Sequence, residues 1–137
     1  MSGTVTGTPN ILLRLEALFV VIGAAAAYAR LGASWWLFAV LILAPDLSML
    51  GYLVGRKAGA AVYNLVHWYG LAFACIGCGV FGHAPLVLAI GLIWVTHIGF
   101  DRALGFGLKY AEGFGVSHLG LMGRPRGAAQ LQSADAR

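Results

Sequence analysis

The residues able to do chemistry are few, and each interrupts an apolar stretch: Glu16, Asp46, Asn64, His67, His97 and Asp101. Inside a membrane-spanning helix an ionisable group costs on the order of a few kcal/mol unless paired, hydrated or bound, so each is a functional candidate. Spacing sharpens the set. His97 and Asp101 stand at i and i+4 and share a helix face; Asn64 and His67 stand at i and i+3, Tyr63 and His67 at i and i+4. Asp46 follows Pro45, whose ring weakens the backbone ladder and predicts a kink that turns the carboxylate inward. Two imidazoles and two carboxylates form a ligand set suited to Zn²⁺ or another borderline divalent ion. Glu16 or Asn64 could then serve as an outer partner or a base. The plain alternative is structural: Asp101 pairs with Arg102 or another base near the headgroups, and the two histidines hydrogen-bond helices together. Glu16 lies close to Arg14 near a membrane entrance, where an ion pair is easily made.

The elements that must position these residues follow from composition. Of 137 residues, 60% are hydrophobic and 10% charged, against roughly 25% charge in soluble domains. Apolar runs cover about 11–30, 34–55, 58–82 and 84–105, each near the roughly 20 residues that cross a bilayer. The expectation is an all-α bundle of four transmembrane helices in one domain, 1–123, with short loops and a flexible polar tail over 124–137. The leading MSGTVTGTPN has no positive charge, so the first run reads as a retained span rather than a signal peptide.

Charge sets the expected orientation. The joint after the first run carries Arg30 and the joint after the third carries no Lys or Arg. The opposite side collects Arg56, Lys57, Arg102, Lys109, Arg124 and Arg126, which places it and both ends in the cytoplasm. The net charge of +4 suits anionic headgroups and requires no nucleic acid. Trp35 and Trp36 fall where an outer aromatic belt would lie.

Depth agrees with facing. Asp46 precedes Arg56 by ten residues and His67 follows Lys57 by ten, about 15 Å of helical rise in each case. All six polar residues then fall in the inner-leaflet half, drawn from four different helices. Cys75 and Cys78 lie past the middle on the other side and read as small residues of a Gly-rich helix interface, as the 20 glycines also suggest. His83, in a joint, and His118, in the tail, read as solvated.

The segments LLRLEAL, WWLFAVLILAPDLSMLGY, YNLVHWY and THIGFDRALGFGLKY resemble the bacterial membrane proteins grouped as domain of unknown function 4260, over about residues 11–120. That resemblance implies a multi-pass protein of the bacterial inner membrane and no particular activity. The order Pro-Asp, a His helix, then His-x-x-x-Asp is also similar to the inner-membrane metal-dependent hydrolase-like proteins, which implies Asp46, His67, His97 and Asp101 as ligands. Asp46 is followed by Leu-Ser where that group carries a second acid, and His67 lacks the Arg that follows there.

The favoured expectation is a metal-dependent, hydrolase-like enzyme acting on a lipid-soluble substrate, with Asp46 or Glu16 as base. Three alternatives stand beside it. His67 and His97 could hold a bis-His haem for electron transfer; Glu16 could couple protons in a small transporter; or the chain could be a scaffold. Membrane lipids are the expected surroundings, and a homodimer is compatible with a small Gly-rich bundle.

Overall fold

The computed structural model describes residues 5–110 and 116–121. Four segments are long and apolar enough to cross a membrane: Thr8–Leu31, Trp35–Leu53, Arg56–Phe81 and Pro85–Leu104. The first and last are unbroken helices, α1 (Thr8–Leu31) and α5 (Pro85–Leu104). Each ends on a glycine with positive φ, Gly32 at 70° and Gly105 at 95°, a conformation that closes a helix without a Cβ penalty. Among the described residues, the stretch after α5 carries a short antiparallel ladder, Val116–Ser117 with Gly120–Leu121, and a bridge between Lys109 and Ser117.

The two middle spans are not continuous helices, which corrects the expectation of a simple kink. The second consists of α2 (Trp35–Leu41) followed by a 3₁₀ segment, Ala44–Leu53. Pro45 is the cause: its ring excludes the carbonyl four residues back, that of Leu41, and α2 stops at that residue. The tighter winding resumes with Asp46 N donating to Leu43 O at 3.1 Å. The third span is α3 (Arg56–Val66) and α4 (Tyr69–Phe81), separated by His67 and an extended Trp68. Broken backbone is tolerated at membrane depth only where other groups meet the freed carbonyls. Here Trp94 Nε1 donates to Val66 O at 2.8 Å, and Arg102 Nη2 reaches His67 O at 3.5 Å.

Helix α5 is the centre of the molecule. Half of its apolar window is buried, against 11–17% for the other three spans, and it packs between α1 and α4. The core joins Tyr28 and Ala24 of α1 to Ala72 of α4 and to Ala89, Ile93, Val95 and Ile98 of α5. Glycine sets the α4–α5 spacing: a Cβ on Gly91 would lie 2.8 Å from Ile76 N, and one on Gly79 would strike the Leu88 backbone. Cys75 serves the same interface, its thiol directed at Val87 O, while Cys78 is exposed. The 3₁₀ segment and α3 pack on each other through Gly51 and Gly59 and form a hairpin beside this trio. Large apolar side chains cover the outside, among them Trp36, Leu53 and Phe81 at 78%, 86% and 87% exposure, as lipid contact requires.

Both described ends meet at one end of the bundle. Val5 N donates to His118 O at 2.8 Å, and Asn10 Nδ2 donates to Val5 O and Leu119 O. Arg124 and Arg126, and the tail over 124–137, lie outside the described residues.

Candidate metal centre

Each break in the bundle delivers one side chain to a common point. Asp46 stands in the first turn of the 3₁₀ segment, and His67 caps the C-terminus of α3. His97 and Asp101, one turn apart on α5, face them. The Nε2 atoms of His67 and His97 are 3.1 Å apart. Asp46 Oδ1 lies 3.7 Å from His67 Nε2 and 3.5 Å from His97 Nε2; Asp101 Oδ2 lies 3.5 and 3.7 Å from the same two atoms. One ligand atom from each of the four residues falls within 4.8 Å of all the others.

A regular tetrahedron with bonds of about 2.0–2.1 Å has edges of about 3.3–3.4 Å. Five of the six separations in the quartet, 3.1 to 3.7 Å, straddle that value, and the sixth, between Asp46 and Asp101, is bounded at 4.8 Å. The same four groups without a cation would set two carboxylates beside each other in a membrane interior, an arrangement that favours a bound cation or proton.

Surrounding contacts aim the ligands. His67 Nδ1 lies 3.0 Å from Tyr63 O, a carbonyl that only accepts, so the ring proton sits on Nδ1 and the Nε2 lone pair faces the centre. The Tyr63 ring stacks on His67 with centroids 3.8 Å apart, and its hydroxyl donates to Asp101 Oδ2 at 3.3 Å. Lys109 Nζ lies over that ring, 4.9 Å from its centroid. Burial pulls the Lys109 ammonium below its ordinary range, while the Asp101 and Asp46 carboxylates oppose the shift. Both imidazoles are almost fully buried and Asp101 is 16% exposed, but the Asp46 side chain is 35% exposed. Its neighbours in sequence, Leu43, Leu47 and Leu50, are each more than 60% exposed.

Two sequence candidates stand apart from this quartet. The Asn64 carboxamide is engaged by the Lys109 backbone, donating from Nδ2 to Lys109 O at 2.8 Å and accepting at Oδ1 from Lys109 N at 2.7 Å. That amide-to-amide clamp pins the segment after α5 onto α3. Glu16, on α1, lines a different cavity with Tyr69, Arg102 and His118. His118 is not simply solvated, since its Nδ1 accepts from Leu108 N at 2.9 Å. The roles of Lys109 and Trp94 had no signal in residue spacing, because each acts across elements far apart in sequence.

No curated protein and no solved structure matches the chain. A family model described as a domain of unknown function (DUF4260) matches residues 10–122, the whole membrane-spanning bundle and the centre within it, and the chain belongs to that family.

Proposed function

We propose that the protein is a membrane-embedded, metal-dependent enzyme of hydrolase type acting on a lipid-soluble substrate. The observation that carries the reading is the convergence of one ligand atom each from His67, His97, Asp46 and Asp101 within 4.8 Å of one another. Zn²⁺ suits that donor set best among common ions. Exposure divides the labour. The enclosed trio His67, His97 and Asp101 would hold the ion, and Asp46, at the open edge, would serve as the base or leave its place to substrate. A bound ion would polarise a scissile carbonyl or phosphoryl group and acidify a water beside it. Substrate would come laterally from lipid, past Leu43, Leu47 and Leu50. The distribution of Lys and Arg supports a reading with both ends of the chain in the cytoplasm and the centre in the inner-leaflet half of a bacterial inner membrane.

The bis-His haem alternative is disfavoured by spacing. Trans axial imidazoles need about 4 Å between ring nitrogens, twice a metal–imidazole bond, against 3.1 Å here with two carboxylates alongside. One observation supports a second reading, a cation carrier: two of the three spans that supply the centre are broken at it, as in carriers that seat ions on interrupted helices. Metal content and turnover of two variants separate these. The enzyme reading expects His97→Ala to lose the metal, and Asp46→Asn to retain it while losing hydrolysis of membrane-soluble esters or amides. Metal flux into liposomes without hydrolysis would replace it with the carrier.

A further inference from the structure

The cavity holding Glu16 lies against the α1 face of α5 and has a volume of about 120 Å³. Its polar groups have opposite character at two ends. Glu16 offers a carboxylate on α1, and Arg102 a guanidinium in the last turn of α5. Among the described residues no ion pair joins them, although both line the same space. The guanidinium is held in place instead by the Tyr69 ring, 4.3 Å from its centroid, and by His67 O. His118 adds a donor: its Nδ1 accepts from Leu108 N, so the neutral ring carries its proton on Nε2. Burial favours that neutral form. Tyr69 also lines the cavity, and its hydroxyl is buried with no hydrogen-bond partner among the described residues. A buried hydroxyl left unmatched is costly, and one that borders a cavity is commonly met by a ligand or water. Leu13 and Val20 form an apolar wall on α1, the helix whose outer surface is exposed Leu, Ile and Phe.

We infer that this cavity binds an ammonium–phosphate zwitterion, the headgroup of an ethanolamine phospholipid, with the ammonium on Glu16 and the phosphate on Arg102, His118 Nε2 and the Tyr69 hydroxyl. The acyl chains lie along α1. A primary ammonium donates hydrogen bonds to the Glu16 carboxylate, whereas choline has no N–H to donate, so the site prefers ethanolamine. The inference does not depend on the metal reading, since none of the four clustered ligands lines the cavity.

The test uses the full chain in detergent, titrated with phosphatidylethanolamine, phosphatidylcholine or phosphatidylglycerol, with bound lipid per chain read by native mass spectrometry. The expected result is one retained phosphatidylethanolamine and a preference of about tenfold over the other two, the worth of one charge-assisted hydrogen bond. Glu16→Gln should erase the preference. Tyr69→Phe, which removes only a hydroxyl, should weaken retention severalfold. Unchanged thermal unfolding of both variants reports an intact fold. Displacement by free phosphoethanolamine without retention of intact lipid would keep the headgroup chemistry and overturn the lipid source. Equal retention of all three lipids, or undiminished preference in both variants, would overturn the site.

Discussion

Replacing His97 by Ala isolates the metal centre from everything else the bundle does. The ring is 5% exposed on α5, and its Nε2 sits within 3.7 Å of ligand atoms from His67, Asp46 and Asp101. Apparent free energies of structural zinc sites are about 10–16 kcal/mol near neutral pH, so an equal share among four ligands is about 3 kcal/mol. That corresponds to about a 100-fold loss of affinity. The helix should survive, because Ala is the best helix former and the core of α5 against α1 and α4 runs through Ala89, Ile93 and Ile98 rather than His97. The assay is competition for Zn²⁺ against a chromogenic chelator in detergent, with the Cys75→Ala/Cys78→Ala variant as control. That pair should bind like the parent, as Cys75 is directed at a backbone carbonyl and Cys78 is exposed. An affinity for His97→Ala within about threefold of the parent, less than 1 kcal/mol, would refute the assignment of His97 as a ligand.

Three further outcomes follow from other parts of the fold. Asn64→Ala removes both hydrogen bonds to the Lys109 backbone, a cost of about 2 kcal/mol; the Lys109 amide should exchange hydrogen faster while zinc affinity stays near the parent's, and a lost metal would instead place Asn64 in the centre. His118 is held below its ordinary imidazole value of 6.5 by burial, so its neutral form is the one folding favours. The stabilisation is therefore complete above about pH 6.5, the unfolded value, and is lost as pH falls below it through the lower value of the folded state. Protonation also turns Nδ1 from acceptor to donor, so the Leu108 amide should lose hydrogen-exchange protection on acidification, and this response should vanish in His118→Ala. Gly91→Leu forces a side chain against the Ile76 backbone and should lower stability in detergent by about 1–3 kcal/mol; unchanged thermal unfolding would argue against close α4–α5 contact.

Much of the architecture was legible because lipid imposes simple rules. Unbroken apolar length located four spans, and their ends fall within a few residues of the expected positions. The quartet was legible for the same reason: a charged group in an apolar run stands out, and helical spacing places His97 above Asp101. The interruption of two spans was less visible. Pro45 announces a disturbance but not that ten residues would wind as a 3₁₀ segment. Nothing in YNLVHWY marks a break at His67, since it depends on Trp94 and Arg102 from α5 donating hydrogen bonds to the freed carbonyls. Asn64 has the spacing of a partner for His67, yet its carboxamide is taken by a backbone 45 residues away. Glu16 and His118 share a cavity for the same long-range reason, as the segment after α5 returns to the start of α1, where Val5 N donates to His118 O.

The breaks and the centre are one feature in physical terms. A continuous helix would keep its carbonyls satisfied and its side chains in a fixed 3.6-residue rotation. Ending α2 at Leu41 and α3 at Val66 frees Asp46 and His67 to meet across the hairpin. It also leaves the α3 hairpin joined to α5 largely through polar contacts, at Asp101, Lys109, Trp94 and Arg102. A bound ion would tie the same two units together, so metal removal should loosen the hairpin before the α1–α5–α4 core.

The most direct test of the central claim is the metal content of the detergent-purified protein, by elemental analysis, beside an Asp46→Ala/His97→Ala variant. The account predicts about one divalent transition metal per chain, Zn²⁺ on its donor chemistry, and its loss from the variant. A parent that holds no metal and takes up none on reconstitution, or a variant that holds as much as the parent, would contradict it.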